Sequence, residues 1–410
     1  METECRLRLA DVFVSIDDPR QSAKVKHDLV ELLVVAVNAV LVGADTFAEI
    51  ELWAEEKLEW LRGYLELRHG IPSHDTFGRI FGLIDPDQFE SAFRRWTSSI
   101  LPALGAEIVA IDGKTSRRSG GVDATALHLV SAFAAGAGLV LGQRATAEKS
   151  IEITAIPELL STLSLTGCTV TIDAMGTQTA IAEVIQERGA DYVLAVKDNQ
   201  PKLAESIQDF WRTFRAHPAM YTPHQSTESV EKSHGRIETR RCTVFDQLEC
   251  LDKPQQWKGL RCFIVLESER TIGEKTTHEQ RLYISSLAPN AERISHAIRA
   301  HWTVENRLHW VMAVTFNDDQ MRARTKAAAH NLAVLKQITL NLIRLDPIKR
   351  NTTEADVPSH DSPAPPSKLF WAMEFFEKWG KRFTMMVDIP SYAPTWNDEN
   401  RALCVRRSGD

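Results

Sequence analysis

The sequence predicts an α/β fold with a helical N-terminal module, a core built on a mixed sheet, and a β-rich insertion within that core. Three observations support this prediction. Periodic apolar segments typical of amphipathic helices fill the first hundred residues. From Ala106 onward, strand-like runs alternate with helical segments in the order β-β-β-α-β-α-β, which is typical of a mixed sheet flanked by helices. Shorter β-like runs among polar turns then occupy residues 221–290.

Each part of the chain contributes its elements in order. The N-terminal module, residues 1–100, has predicted helices at 28–42, 47–66 and 85–96. The first part of the core, residues 101–220, has predicted strands at 107–112, 127–135, 138–146, 168–173 and 191–197, and helices at 152–163, 177–188 and 201–215. The β-rich insertion at 221–290 precedes the last part of the core at 291–346, with helices at 292–312 and 327–345. Residues 347–410 are predicted to be a Pro- and Ser-rich linker and a tail.

The composition is that of a globular protein. The 410 residues are 43% hydrophobic, which is enough for a sizeable core. The six cysteines form no CxxC pair, so neither a zinc site nor a disulfide framework is expected, and a cytoplasmic location fits. The apolar run at 29–44 is interrupted by Glu31 and Asn38 and is short for a membrane span, so we expect a buried helix and no membrane partner.

The net charge of −7 is unevenly distributed along the chain. Residues 1–110 carry 11 Lys/Arg and 19 Asp/Glu, a balance of −8, whereas residues 281–350 carry 11 and 5, a balance of +6. A local basic surface can bind phosphates on a protein whose overall charge is negative. The composition is therefore compatible with nucleic-acid binding by one region of the molecule.

Three carboxylates are candidates for a metal site. Asp112 and Asp173 each follow a short β-branched run and shortly precede a glycine, so each is predicted at the end of a buried strand. Glu305 is predicted on an inward-facing helix stripe. The other members of that stripe are Ile298, His301, Trp302, Leu308, His309 and Met312. Because a buried carboxylate is costly unless it is paired, protonated or bound to a cation, the pattern favours a shared cation.

Oxygen ligands of this kind select Mg²⁺ or Mn²⁺. Two such ions about 3.5 to 4 Å apart can activate a nucleophile and stabilise the leaving oxygen in phosphodiester chemistry. The spacing alone leaves structural alternatives open. Asp112 could be a strand-end cap, and Asp173 could be the N-cap of the helix that follows it.

Six ordered segments give the chain a specific resemblance to a known family. They are GIPSHDTFGR at 70–79, AIDGKTSRRS at 110–119, VTIDAMGTQ at 170–178, DYVLAVKDNQP at 191–201, HGRIETR at 234–240 and HWTVENRLHW at 301–310. In content and order they resemble the DDE transposases of bacterial insertion sequences, in the branch that contains the H-repeat-associated proteins. The matching segments fall within residues 10–345.

The resemblance implies an RNase H-like core with a β-rich insertion before the last catalytic helix. It also implies that Asp112, Asp173 and Glu305 are both the catalytic residues and the metal ligands, with two Mg²⁺ or Mn²⁺ ions per active site. The implied reaction is hydrolysis at transposon ends followed by attack of the freed 3′-hydroxyl on target DNA. The implied partners are double-stranded DNA and further copies of the chain assembled on it.

Other side chains are candidates for contact with DNA. They are basic or amide residues near the carboxylates, or on one face of a predicted strand: Lys114, Arg117, Arg118, Lys197, Asn199, Gln200, His234, Arg236, Arg240 and Arg307. Structural roles stay open for several of them: a loop-structural role at 197–200, and a salt-bridged surface for the strand that also carries Glu238. For His301 and His309, hydrogen-bonded core histidines are slightly favoured over metal ligands.

The chain departs from the family's usual residues at three positions. Members usually have Asp where Ala313 stands, Asn at Ile151 and Gly at Asp198. These changes leave the triad intact, and the loss of the acidic residue at 313 is expected to weaken activity more than abolish it. They support a rival hypothesis, a catalytically impaired remnant that only binds DNA. An RNase H-type nuclease without transposition is disfavoured, because the insertion and the N-terminal module would then be unexplained.

Overall fold

The computed structural model describes residues 7–101, 105–120, 125–146, 152–218, 225–233 and 235–345. The predicted linker and tail at 347–410 lie outside these ranges, as do Ile151 and His234. Within them, no helix combines the length and apolar character needed to cross a bilayer. The cytoplasmic location stays a prediction.

The N-terminal region is a set of packed helices with defined caps. They are α1 (Leu9–Phe13), α2 (Leu29–Leu41), α3 (Phe47–Glu56), α4 (Leu58–Leu61), α5 (His74–Leu83) and α6 (Pro86–Ile100). Asp28 accepts a hydrogen bond from the Glu31 backbone N–H, and Thr46 with Glu49 forms a capping box, so N–H groups of the first turns are satisfied. Residues 32–40 of α2 are all buried, which confirms the predicted buried helix.

This region differs from the prediction at α1, which was not predicted, and at two further places. The helix expected at 47–66 ends at Glu56, where Lys57 leaves helical geometry, and α4 is a separate short turn. Helix α5 was not predicted. It contains Gly78 and Gly82, and glycine lowers helix propensity. At Gly82 a Cβ would lie 2.9 Å from the Thr325 carbonyl oxygen, so close packing excludes a larger residue there.

In the described part of the chain, nine strands form one sheet in the order β3-β2-β1-β4-β5-β9-β8-β7-β6. Strand β1 pairs in parallel with β4, and β4 with β5, whereas the other neighbours are antiparallel. The strands are β1 (Ile108–Thr115), β2 (His128–Ala134), β3 (Leu139–Thr146), β4 (Thr169–Ile172), β5 (Asp191–Val196), β6 (Gln225–Ser233), β7 (Arg236–Phe245), β8 (Cys262–Ile272) and β9 (Lys275–Ser285). The predicted mixed sheet is therefore confirmed.

The β-rich segment continues this sheet. Strand β9 pairs antiparallel with β5, and β8, β7 and β6 follow outward. The halves of β8 and β9 nearest the core are buried, while their distal halves are largely exposed. Strand β6 was not predicted, because its sequence QSTESVEKS lacks an apolar face. It forms by pairing with β7.

Helices cover both faces of the sheet. Apolar residues of α7 (Glu152–Ser161), α8 (Thr179–Glu187) and α9 (Pro201–Ala216) share a core with one face of the central strands. Helix α10 (Ala291–His301) packs on the opposite face. Beside it, α12 (Ala328–Leu345) shares a single core with the N-terminal helices and with Ala110, Phe133 and Val140 of the sheet.

The predicted helix at 292–312 contains a change of helical type. Helix α10 ends at His301, a π-helical turn spans Glu305–His309, and α11 (Trp310–Val314) follows directly. A π turn contains an extra residue relative to an α turn and occurs frequently at functional sites. This local change decides which side chains of the segment face the sheet.

Candidate active site

Asp112 lies on β1 where the strand leaves the buried core, since residues 108–111 are buried and those that follow are partly exposed. Its Oδ1 accepts a hydrogen bond of 2.9 Å from the Gly113 N–H. Burial raises the pKa of the Asp112 carboxyl to about 7; the Gly113 hydrogen bond opposes the shift, and the negative charges of Glu305, Asp173 and Glu152 add to it. The carboxylate is therefore destabilised unless a cation or proton compensates it.

Asp173 lies at the same edge of the sheet. Ile111 pairs with Ile172 in the parallel β1–β4 register, so Asp112 and Asp173 are the next residues along neighbouring strands. The Asp173 side chain is exposed, and its Oδ1 accepts hydrogen bonds from the backbone of Met175 at 3.1 Å and Gly176 at 3.4 Å. Gln178, not Asp173, is the N-cap residue of α8, so the helix-cap alternative is wrong.

Glu305 is the first residue of the π turn, and its carboxylate lies near Asp112 at the same edge of the sheet. The expectation that it turns fully inward is wrong, since 54% of its side chain is exposed. Trp302 is also exposed, whereas Leu308, His309 and Met312 are buried. The π turn shifts the helix face, so that Glu305 lies at the solvent rim and the residues one turn later face the core.

Asp112, Glu305 and His309 form the compact group at this edge. One ligand atom from each lies within 4.8 Å of the other two. His309 Nδ1 is 3.4 Å from Asp112 Oδ2 and 3.9 Å from Glu305 Oε2. Asp173 is not part of this group among the described residues, although its charge acts on the pKa of Asp112. Two of the three predicted carboxylates are thus brought into direct proximity, with the third on the adjoining strand.

The two histidines of the segment have different surroundings. Burial lowers the pKa of both rings to about 4, so both are neutral near pH 7. His301 Nδ1 is 3.0 Å from Thr171 Oγ1, which is the hydrogen-bonded core arrangement that the sequence favoured. His309 faces the carboxylates with Nδ1, and its buried Nε2 has no hydrogen-bond partner within the described ranges.

Of the basic residues that follow Asp112, Lys114 is paired with carboxylates, whereas Arg117 and Arg118 are largely exposed to solvent. Lys114 Nζ lies 3.5 Å from Asp319 and 3.7 Å from Asp318, and only 19% of its side chain is exposed. Arg117 is 83% exposed and lies 4.0 Å from Asp319, and Arg118 is also exposed. Asp318 accepts a hydrogen bond from Ser116 as well, so the acidic pair ties the end of β1 to the segment after α11. The sequence analysis did not identify this role of Asp318 and Asp319, because no motif or periodicity marks them.

The loop after β5 lies beside Asp173. Lys197 is exposed and lines a cleft together with Asp173 and His301. The Asn199 side chain donates to the carbonyls of Ala174 and Thr177, and Gln200 donates to Thr177 at 3.0 Å. These amides therefore hold the loop that carries Asp173, which supports the loop-structural alternative for both.

The remaining candidates for DNA contact lie in two places. Arg240 forms ion pairs with Glu238 at 2.6 Å and Glu231 at 3.4 Å, and Arg236 lies 3.6 Å from Glu238. That face of β7 is therefore a salt-bridged surface, while His234 lies outside the described residues. Arg307, from the π turn, donates to the Ala135 carbonyl at 2.8 Å and anchors the turn to the β2–β3 hairpin.

A buried pair behind Asp112 was missed in the sequence. His128 Nε2 is 2.5 Å from Glu152 Oε1, and Thr115 Oγ1 is 2.7 Å from His128 Nδ1. A Cβ on Gly113 would collide with both side chains, so glycine is required beside Asp112 by close packing. The negative charge of Glu152 also contributes to the raised pKa of Asp112.

Comparisons with known proteins identify the family of the chain. Residues 103–342 match the family described as the transposase DDE domain, and residues 10–97 match the domain associated with it. A protein of Escherichia coli O157:H7 that is named as a transposase, YncI, is 43% identical over 342 residues. The match covers 82% of this chain and 87% of that protein.

Two further relatives come from Escherichia coli K12. The H repeat-associated protein YhhI is 39% identical over 347 residues, covering 81% of this chain and 89% of that protein. A protein named inactive transposase YbfQ is 40% identical over 63 residues, covering 15% of this chain and 75% of that protein.

A solved structure of a piggyBac transposase synaptic complex with hairpin DNA aligns with 97% of this chain and 80% of that chain, at 10% identity and a TM-score of 0.42. The family assignment rests on the sequence matches, which extend over both the helical region and the sheet. Membership also implies the use of a divalent metal. The chain belongs to the DDE transposase family, in the branch of the H repeat-associated proteins.

Proposed function

We propose that this chain cleaves DNA at the ends of an insertion sequence and joins the freed 3′-hydroxyl to target DNA. The observation that carries the proposal is that carboxylates from three separate segments lie at one edge of the sheet. Asp112 and Asp173 end neighbouring strands, and Glu305 reaches Asp112 from the π turn. Family membership and this arrangement support the same chemistry.

We infer that the core is RNase H-like. The inference is supported by an antiparallel β1-β2-β3 unit beside strands β4 and β5, which are parallel to β1. In this scheme β6 to β9 are an insertion, residues 1–100 are the associated helical module, and the segment at 291–346 closes the core. The single buried core shared by α12 and the N-terminal helices supports their joint folding.

Asp112, Asp173 and Glu305 would hold the divalent ions, Mg²⁺ or Mn²⁺, with two per site. The residues fit such ions, because carboxylate oxygens are the ligands that they prefer and because Asp112, whose side chain is only 19% exposed, lies near the negative charges of Glu305, Asp173 and Glu152. When bound, the ions supply positive charge that stabilises the attacking and leaving oxygens of the phosphodiester. The loop held by Asn199 and Gln200 keeps Asp173 in place.

Double-stranded DNA would approach the carboxylates along the exposed edge of the sheet. Arg117, Arg118 and Lys197 are exposed there and can meet backbone phosphates. The charges of Lys114, Arg236 and Arg240 are already balanced by carboxylates, which favours structural roles for them. Assembly of several copies on the DNA ends belongs to the same proposal.

The direct test is cleavage of the DNA that flanks the gene, with Mg²⁺ or Mn²⁺. The variants Asp112→Asn, Asp173→Asn and Glu305→Gln keep side-chain shape and remove charge, so each is expected to fold and to lose cleavage. Glu292→Gln, on the exposed surface of α10, is the matched control and should cleave like the natural chain. Cleavage by all three site variants at the natural rate would refute the catalytic assignment.

The second candidate function is DNA binding without catalysis. It is supported by Ala313 on α11, where the family usually has an acidic residue. Ala313 follows His309 by four residues, so an Asp at this position could orient a neighbouring ligand. Binding of the flanking DNA without cleavage by the natural chain would favour this candidate.

A further inference from the structure

His309 is the one buried histidine of the site whose surroundings do not explain its presence. The ring is only 8% exposed, and its Nε2 has no hydrogen-bond partner in the described part of the chain. By contrast, both ring nitrogens of His128 have partners, and His301 contacts Thr171. Hydrogen bonding within the described residues therefore does not explain a histidine at 309, and the ring nitrogen that faces the carboxylates is Nδ1.

The position of the ring relative to the carboxylates is that of a neighbouring ligand. The Nδ1–Oδ2 separation from Asp112 is 3.4 Å, and the Nδ1–Oε2 separation from Glu305 is 3.9 Å. Both exceed the usual N–H···O distance of about 2.7 to 3.2 Å. Adjacent ligands of one octahedral ion with bonds of about 2.1 Å lie about 3 Å apart, and opposite ligands about 4.2 Å apart. The two separations lie between these values, and one ligand atom from each of Asp112, Glu305 and His309 lies within 4.8 Å of the others, so the three groups are close enough to share one ion.

The backbone around His309 fixes the ring in this position. Leu308 is buried beside it, and Arg307 anchors the π turn to the Ala135 carbonyl. Glu305 and His309 are the first and last residues of that turn, so both side chains are placed by the same local structure. An imidazole nitrogen carries a lone pair that it can donate to a cation.

We propose that His309 is a metal ligand through Nδ1, together with Asp112 and Glu305, and that it shifts the preference of the site from Mg²⁺ toward transition-metal ions such as Mn²⁺. This inference rests on the metal site of the proposed function. Its chemical basis is that Mg²⁺ is bound mainly by oxygen, whereas imidazole nitrogen suits transition metals. Asp173 then lies beside this ion and is free to hold a second one.

The test uses Mn²⁺ bound to the full chain without DNA. Pulsed electron paramagnetic resonance detects modulation from a nitrogen directly bound to Mn²⁺, and labelling histidine with ¹⁵N changes that modulation in a defined way. We expect the natural protein to show imidazole coordination. The variant His309→Gln should lose it and bind Mn²⁺ about tenfold more weakly or worse, with a smaller loss for Mg²⁺.

His296→Gln is the matched control, because His296 is exposed on α10 and outside the carboxylate group. It should keep both the modulation and the affinity. If Mn²⁺ binds, requires Asp112, and shows no nitrogen modulation, or if the modulation survives in His309→Gln, the inference is overturned while the metal site stands. If Mn²⁺ binding is absent or does not depend on Asp112, the proposed metal site itself fails. Should His309→Gln not fold, the absence of nitrogen modulation in the natural chain still overturns the inference.

Discussion

Replacing Asn341 by leucine should strongly destabilise the fold without touching the carboxylates. Asn341 lies on α12, and its side chain accepts a hydrogen bond from the Val140 N–H at 2.9 Å and donates one to the Val140 carbonyl at 2.8 Å. Val140 lies on the edge strand β3, where the pairing with β2 shifts register between Ala132 and Phe133. The amide therefore satisfies the backbone N–H and carbonyl of Val140 on a strand that lies at the end of the sheet.

The magnitude follows from the burial of both partners. Val140 and Asn341 are each 0% exposed, so water cannot replace the lost bonds. An unsatisfied buried donor or acceptor costs about 1 to 3 kcal/mol, and Asn341→Leu leaves two of them, which gives about 2 to 6 kcal/mol. Because whole domains are stable by only about 5 to 15 kcal/mol, this loss should be evident in any unfolding measurement.

The assay is urea unfolding of the natural chain, of Asn341→Leu and of Asn306→Leu. Asn306 is exposed in the π turn, so its replacement tests the same chemical change without burial and should alter the free energy of unfolding by less than about 0.5 kcal/mol. If Asn341→Leu lies as close to the natural chain as this control, Val140 has other partners and the reasoning is refuted.

Three further predictions concern the site. Replacing Arg117 and Arg118 by Gln should lower the salt slope of DNA binding by up to about 1.8, since each phosphate contact contributes about 0.9. The variant Lys114→Met should leave the slope unchanged, because that ammonium is paired with carboxylates; the reverse pattern would contradict this assignment. Mn²⁺ at a hundred times its Kd should raise the free energy of unfolding of the natural chain by about 2.7 kcal/mol, and an equal rise in Asp112→Asn would refute the site. Ala313→Asp should increase end cleavage over the natural chain, whereas two equally inactive proteins would favour the DNA-binding remnant.

Local periodicity was a reliable guide to most elements of the fold. The helices at 29–41 and 328–345 and the strands at 128–134 and 139–146 lie within two residues of their predicted bounds. Their burial depends on the spacing of apolar residues, which can be read directly from the sequence. Strand β6 and helix α5 were missed because their formation depends on other segments of the chain. Strand β6 pairs with β7, and Gly82 of α5 packs against Thr325.

The chemistry of the site divides in the same way. The sequence by itself determined the family, the carboxylates at the ends of two strands, and a third on a late helix, because residue types and their order are local properties. Only the tertiary structure decided that Glu305 lies at the solvent rim, that His309 faces Asp112, and that Lys114 is paired with an acidic segment far along the chain. The physical reason is that one π turn and long-range packing set these directions, and an ideal helix of 3.6 residues per turn contains neither.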